Sequence, residues 1–242
     1  MSAAELLPGA GDILLLCDHA SAAVPQDIDL RIDLSLLGLH IAVDLGAGAL
    51  THALAARLGA PAVLGTVSRL VIDLHREPDH PALVPETSDG HAIPGNVGAD
   101  RWARIAHFQA PYHRAVAAAV RRSRPALIVA IHSYTRQLEA GGEPRAIDAG
   151  ILYNRDDRAA HLMIDGLRSA GIATGDNAPY SGRMLNATLN RHGEANGIAC
   201  VSIEVCNDLL ADDAGVSRWS VLLAPIIESA RNRVAKSGAP TQ

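Results

Sequence analysis

The chain of 242 residues is poor in aromatic side chains and in cysteine. Aromatic residues make up only 3% of it, so a buried core must be built mainly from Ala, Val, Leu and Ile. Its three cysteines, Cys17, Cys200 and Cys206, are odd in number and contain no CxxC pair, which argues against a disulfide framework. A hydrophobic fraction of 48% beside 19% charged residues still predicts a globular protein with a sizeable core.

Clustered basic residues and long apolar runs are also missing. The net charge is −5, and the short arginine run at 121–124 falls at the end of a predicted helix, where cations suit the helix dipole. We therefore predict no nucleic-acid partner. The first residues show no basic stretch leading into an apolar run, so we expect no signal peptide, no membrane contact and a cytoplasmic location. The sequence leaves the oligomeric state open.

Short apolar segments alternate with helical patterns along the chain. Strands are predicted at 12–17, 62–67, 70–74, 126–131, 148–153, 172–174 and 198–205. Helices are predicted at 41–58, 99–122 with a kink at Pro111, 156–169 and 217–234. This alternation predicts an α/β fold with three α-β-α layers and a mostly parallel sheet. Without a repeat or a linker, a single domain over residues 1–242 is the simplest organisation.

Polar side chains follow three of the predicted strands at their carboxyl ends. The first strand leads into Asp18 and His19, the central strand into His132, and the last strand contains Glu204. In open α/β sheets, ligands bind beyond the carboxyl ends of the strands. A lone histidine after a strand is usually a hydrogen-bonded structural residue. Two histidines with acidic residues nearby instead favour a divalent-metal site, with zinc as first choice, and a carboxylate that accepts a proton from water.

Two arginine-containing clusters are candidates for substrate binding. In the first, Arg69, Asp73 and Arg76 flank an apolar segment, and a guanidinium can bind a substrate carboxylate in a bidentate way. For Asp73 an ion pair with an arginine is an equally good interpretation. In the second, Arg183 follows Gly182 and could close over an anionic ligand, although an ordinary surface loop is the simpler alternative.

Other nucleophiles are poorly supported. No GxSxG motif is present, which disfavours a serine hydrolase built on Ser21 or Ser133. Cys17 and Cys206 lie near the strand-end residues, but buried thiols usually behave as small apolar side chains. The absence of HExxH means that spacing alone does not define the metal site.

The motifs in their order and spacing resemble the N-formylglutamate amidohydrolase family over about residues 12–210. They are the segment 14–21 with Pro25, His40, the segment 44–47, the segment 68–76, the segment 132–134, and the segment 203–205 with Asp208. The family resembles zinc-dependent exopeptidases in fold. The resemblance implies His19, Asp44 and His132 as metal ligands and Glu204 as the general base, with Asp18 as the rival of Asp44 for the third ligand position.

The resemblance also implies a reaction. The expected activity is metal-dependent hydrolysis of a formyl or other small acyl group from an acidic N-acyl amino acid, with N-formyl-L-glutamate as the type substrate and histidine catabolism as the setting. Two departures put the exact substrate in doubt: the family often has Glu at Asp18 and Asn at His75. The alternatives are a metal amidase or peptidase acting on a different amide, and a non-catalytic binding protein of the same fold.

Overall fold

A computed structural model describes residues 2–237 of the chain. The strands are β1 (Ala4–Leu7), β2 (Ile13–Cys17), β3 (Ala62–Gly65), β4 (Thr87–Ser88), β5 (His91–Ala92), β6 (Leu127–Tyr134), β7 (Ala149–Leu152), β8 (Thr174–Asp176) and β9 (Ala199–Cys206). The α-helices are α1 (Ala47–Leu58), α2 (Arg101–Arg104), α3 (Ala110–Ser123), α4 (Ala160–Ser169), α5 (Ala187–His192) and α6 (Asp213–Ser237).

Seven of these strands form one mixed sheet in the order β1-β3-β2-β6-β9-β7-β8. The four central strands, β3, β2, β6 and β9, run parallel, whereas β1 and β7 are each antiparallel to their inner neighbour and β8 is parallel to β7. A mostly parallel sheet was predicted, and the structure confirms it. The edge strand β1 and the small β4–β5 hairpin were not predicted, since both lie in segments of only two to four residues.

The sheet is covered on both faces, which completes the predicted three layers. Residues of β2 alternate between two apolar clusters: Ile13, Leu15 and Cys17 pack with α1, α4 and α6, and Leu14 and Leu16 face the side of α3. Central parallel strands buried on both faces account for the continuous apolar runs in the sequence. Among the described residues, none of the helices combines the length and apolar composition needed to cross a lipid bilayer.

The prediction of a strand at 70–74 was wrong. The segment turns instead, because the backbone N–H groups of Val71 and Ile72 both donate to the carbonyl of Ser68. It then leaves the turn with the N–H of Asp73 bonded to the Leu83 carbonyl rather than to a sheet strand. Its apolar side chains are fully buried against the sheet, and a short apolar run does not by itself distinguish a strand from a buried turn.

The long helical pattern at 99–122 is helical as predicted, but its irregularity lies before Pro111 and not at it. A π-helical turn spans Ile105–Gln109, where the Ala110 N–H bonds to the carbonyl of Ile105, five residues back. Helix α3 then carries Pro111 in its first turn, where a missing N–H costs least. The π turn therefore takes the place of the predicted kink.

Candidate metal centre and active site

Four polar side chains meet at the carboxyl edge of the central strands. His19 follows β2, while His132 on β6 is in register with Glu204 on β9, so the latter two side chains point to the same face. Asp44 comes from the turn before α1, where its N–H donates to the carbonyl of His19. Gly46 ends this turn with a φ of +79° and packs against Leu210 so closely that a Cβ would clash.

His19, Asp44 and His132 form a compact group of possible metal ligands. Nδ1 of His132 lies 2.8 Å and Nδ1 of His19 lies 3.3 Å from the same Oδ2 of Asp44, and all three residues are buried. One donor atom from each lies within 4.8 Å of the others. These distances place the three atoms around one point that a single cation could occupy.

The outer nitrogens of the two histidines face further carboxylates. Nε2 of His19 lies 2.7 Å from Oδ1 of Asp73, and Nε2 of His132 lies 3.4 Å from Oδ2 of Asp18. Metal-binding histidines typically present their second nitrogen to such a group, which orients the ring and raises its basicity. The His19 ring is thus hydrogen-bonded to a buried acid, whereas His132 Nε2 and Asp18 Oδ2 are close but have no hydrogen-bond partner among the described residues.

A second group of donors, Asp18, His75 and His132, also lies within 4.8 Å. Its carboxylate is deeply enclosed: Asp18 accepts a hydrogen bond of 2.8 Å from Thr188 Oγ1 and faces Nδ1 of His75 at 3.1 Å. Asp18 is fully buried and does not line the cavity described next, whereas Asp44 does. Both groups therefore border the cavity through their histidines, but only the group that contains Asp44 also presents its carboxylate there.

A cavity of about 150 Å³ lies over the group of His19, Asp44 and His132. Its other lining residues are His40, Arg69, His75, Arg76, Ser133, Tyr134, Thr135, Leu152, Tyr180, Leu185, Ser202 and Glu204. Imidazole, carboxylate and guanidinium groups are thus concentrated around a space of small-molecule size. A cavity with convergent polar groups of this kind is the usual setting of an active site.

Glu204 is the acid of the cavity whose pKa is raised, whereas that of Asp44 is lowered. Burial raises its pKa to about 7, the charge of Asp44 acts in the same direction, and His132 and Arg69 oppose the rise. Its Oε2 atom is buried and has no hydrogen-bond partner among the described residues. Glu204 therefore has an unengaged carboxylate oxygen and a pKa in the range where a general base works at neutral pH.

The predicted arginines differ in their surroundings. Arg69 bridges two acids, with Nη1 2.9 Å from Asp44 and Nη2 2.9 Å from Asp73. The ion-pair interpretation of Asp73 thus has direct geometric support. Arg76 lies at the cavity with its Nε 3.8 Å from Asp73 and no hydrogen-bond partner for that atom among the described residues. Arg183 is exposed, and the structure does not bring it to the cavity lining.

Sequence reasoning missed several residues around the cavity. Tyr134 and Tyr180 line the cavity, and Thr188 is hydrogen-bonded to Asp18 and His75, but no local pattern indicated either placement. Arg145 lies at the end of a polar, glycine-containing loop, and its guanidinium packs against the rings of Tyr134 and Tyr180. No sequence signal separates this arginine from the exposed ones, because its neighbours come from distant parts of the chain.

Comparison with known proteins places this arrangement in a family. Residues 11–211 match the model of the N-formylglutamate amidohydrolases. The chain belongs to the N-formylglutamate amidohydrolase family. It is accordingly an amidohydrolase, as the motifs predicted.

Solved structures agree with this membership. A gene product of Agrobacterium tumefaciens is 31% identical over 97% of each chain, with a TM-score of 0.92. An N-formylglutamate amidohydrolase from Ralstonia eutropha is 20% identical over 98% of this chain and all of its own, with a TM-score of 0.71. A bacteriophage poly-γ-glutamate hydrolase shares the fold at 13% identity, 97% and 89% coverage and a TM-score of 0.50. None of the curated proteins matches the chain.

Proposed function

We propose that this amidohydrolase uses a divalent metal ion to remove a formyl or other small acyl group from an acidic N-acyl amino acid, with N-formyl-L-glutamate as the type substrate. The proposal rests on one observation. In a single cavity, His19, His132 and Asp44 bring their donor atoms close enough together to bind one cation, and beside them Glu204 has an oxygen without a hydrogen-bond partner among the described residues. Family membership supports the class of amide, and the arginines at the cavity support an anionic substrate.

The residues fit the implied metal. Two imidazole nitrogens and a carboxylate, from His19, His132 and Asp44, form a donor set typical of hydrolytic zinc centres, which keep a further position for water. Asp73 and Asp18 lie behind the two rings, where they hold the ring orientation. When bound, zinc or a similar ion polarises the amide carbonyl and lowers the pKa of water. Asp44 is preferred to Asp18 as third ligand because its carboxylate is open to the cavity.

Glu204 is the proposed general base and acid. Its free carboxylate oxygen accepts a proton from the attacking water, and the same group returns that proton to the amine as the carbon–nitrogen bond breaks. The hydroxyl of the water is added to the acyl carbon and its proton to the amine nitrogen. The products are a carboxylic acid (formate for a formyl substrate) and the free amino acid. A pKa raised by burial to about 7 makes both halves of this proton transfer accessible near neutral pH.

Arg76 and Arg69 complete the proposed site. Arg76 has a buried Nε without a hydrogen-bond partner among the described residues, which makes it the stronger candidate for the substrate α-carboxylate. Arg69 lines the same cavity but donates to Asp44 and Asp73, so it also holds those two acids in place. The carboxylate of Asp73 is already hydrogen-bonded to His19, Arg69 and the backbone N–H of His75. Asp73 therefore acts on the substrate only indirectly, through His19 and Arg69.

Metal analysis combined with a hydrolysis assay tests the proposal. We expect purified protein to hold about one equivalent of metal per chain and to release formate from N-formyl-L-glutamate. His132→Ala should lose both metal and activity, while the matched change His161→Ala, at an exposed histidine, should keep both. Full activity in a metal-stripped His132→Ala protein would falsify the mechanism, and activity confined to other amides would overturn the substrate class.

A further inference from the structure

Three arginines lie at or beside the cavity, and they differ in how their charge is compensated. Arg69 is paired with two carboxylates at 2.9 Å each, and Arg76 lies 3.8 Å from Asp73. Arg145 has no carboxylate within ion-pair distance among residues 2–237. A partly buried cation without a counter-ion next to a ligand cavity is a natural binding point for an anion.

Arg145 is held against the cavity wall by contacts that leave its charge available. Its guanidinium carbon lies 4.8 Å from the ring centre of Tyr180 and 5.5 Å from that of Tyr134. Its Nη1 donates to the carbonyl of Thr135 at 2.7 Å, and its backbone N–H is bonded to the Arg136 carbonyl. Tyr134, Thr135 and Tyr180 all line the cavity. Packing between aromatic faces fixes the plane of the guanidinium without neutralising it.

The electrostatics of Tyr180 agree with this placement. Burial raises the pKa of the Tyr180 hydroxyl, while the nearby charge of Arg145 opposes the rise. The phenol therefore stays protonated at neutral pH and can donate a hydrogen bond beside the guanidinium. Together they place a neutral donor in the cavity lining and a cation in contact with it.

We propose that Arg145 and Tyr180 bind the side-chain carboxylate of the substrate and so determine the preference for an acidic amino acid. The assignment rests on the proposed function and refines it. A dicarboxylate needs two anchoring points, and Arg76, which lies next to Asp73, serves the α-carboxylate in this arrangement. Arg145 is preferred to Arg183, the sequence candidate for an anionic ligand, because Arg183 is exposed. Arg145 is partly buried and packs against Tyr134 and Tyr180, which line the cavity.

The first experiment needs no variant, because N-formyl-L-glutamine is a nearly isosteric, uncharged partner of N-formyl-L-glutamate. We expect kcat/KM to be roughly 10- to 100-fold higher for the glutamate compound, the range for losing a hydrogen bond to a charged group. The difference should appear mainly in KM, since the side-chain carboxylate lies away from the reacting carbonyl. Equal kcat/KM values for the two substrates would overturn the assignment and the preference for an acidic substrate, while metal-dependent removal of the formyl group would still stand.

The second experiment changes the arginine. Arg145→Met should remove the preference by lowering kcat/KM for the glutamate substrate roughly 10- to 100-fold with little change for the glutamine substrate. Arg145→Lys should restore part of the preference because it keeps the charge but loses the fork geometry. Arg183→Met tests the rival, and the exposed Arg155→Met is the matched control; both should keep the wild-type preference. A parallel loss on both substrates in Arg145→Met, or a selective loss in Arg183→Met, contradicts the proposal.

If neither formyl substrate is hydrolysed, the proposed function is wrong. The Arg145 assignment can then still be tested by measuring the binding of the free amino acids. Isothermal calorimetry should then show that the wild-type protein binds L-glutamate more tightly than L-glutamine, and that Arg145→Met binds the two alike. Equal binding of both by the wild-type protein overturns the Arg145 assignment on its own. The failure of the reaction and the failure of the subsite are thereby separated.

Discussion

Two groups of buried histidines in this protein have opposite surroundings. At the cavity, His19 and His132 are enclosed by the carboxylates of Asp18, Asp44 and Asp73. Away from it, His113 on α3 and His192 on α5 stack on each other with 3.0 Å between Nδ1 and Nε2, and the other nitrogen of His113 lies 3.1 Å from the Leu74 carbonyl. No carboxylate lies within ion-pair distance of this second pair in the described structure.

Burial lowers the pKa of the histidines in both groups, and the nearby carboxylates make the difference between them. Burial by itself lowers the pKa of His132, but hydrogen bonds to Asp18 and Asp44 outweigh it and raise the pKa well above the usual value. Burial lowers the pKa of His113 to about 3 and that of His192 to about 4, with the charge of Arg191 acting in the same direction. The same residue type therefore has a raised pKa beside carboxylates and a lowered pKa where, among the described residues, no carboxylate lies within ion-pair distance.

The neutral pair has a structural role that its hydrogen bonds define. His113 Nε2–H donates to the Leu74 carbonyl, which leaves Nδ1 as the acceptor for the N–H of His192. This arrangement ties α3 and α5 to the turn that carries Asp73 and His75. The pair therefore connects two helices to the turn beside the cavity, and neither of its rings lines the cavity.

Removing the unpaired acid of the cavity should have the largest effect. Glu204→Gln keeps the shape of the side chain but cannot accept a proton, so we expect kcat to fall by roughly 10²- to 10⁴-fold. Metal content, measured by elemental analysis, should stay at the wild-type level because Glu204 is not a proposed ligand. Loss of metal together with activity would mean that Glu204 is a ligand.

Changing the acid behind His19 should have an intermediate effect. Asp73→Asn keeps an oxygen near Nε2 of His19 but removes the charge, and we expect metal affinity to fall by roughly 10- to 100-fold in chelator competition. Asp165→Asn on the exposed face of α4 is the matched control and should leave the affinity unchanged. If the metal affinity of Asp73→Asn equals that of the wild-type protein, the carboxylate behind His19 does not support metal binding, and the contrast with the His113–His192 pair loses its functional meaning.

The neutral pair should make stability, rather than activity, depend on pH. Because burial lowers the pKa values of His113 and His192 below those of the unfolded chain, the unfolded state binds more protons once the pH falls below about 6.5. Stability from this pair is therefore complete above that pH and decreases as the pH falls toward about 4, by at most about 1.4 kcal/mol per pH unit for each histidine.

Urea unfolding at about pH 7.5 and pH 5.5 measures this slope. His113→Gln removes one titrating group and should flatten the dependence, whereas the exposed His52→Gln should not. The metal content of His113→Gln should match that of the wild-type protein. An unchanged slope in His113→Gln would show that the pair does not titrate as the structure indicates.

The sequence by itself determined the fold class and the family, because both depend on patterns that are local in the chain. Alternating apolar strands and helices predicted the three-layer architecture, and ordered motifs predicted the family that the comparison confirmed. Placing His19, His132 and Glu204 at strand ends was enough to expect them at one edge of the sheet. Their roles as ligands and base stay predictions for the experiments above.

Only the tertiary structure decided which residues face each other across the site. The segment 70–74 has the apolar pattern of a strand because its side chains are buried, although its backbone forms a turn and pairs with no sheet strand. Asp18 and Thr188 are hydrogen-bonded across 170 residues, and Asp44 and His132 meet across 88. Contacts of this range leave no local pattern, so the openness of Asp44, the enclosure of Asp18 and the uncompensated charge of Arg145 emerge only when the chain is folded.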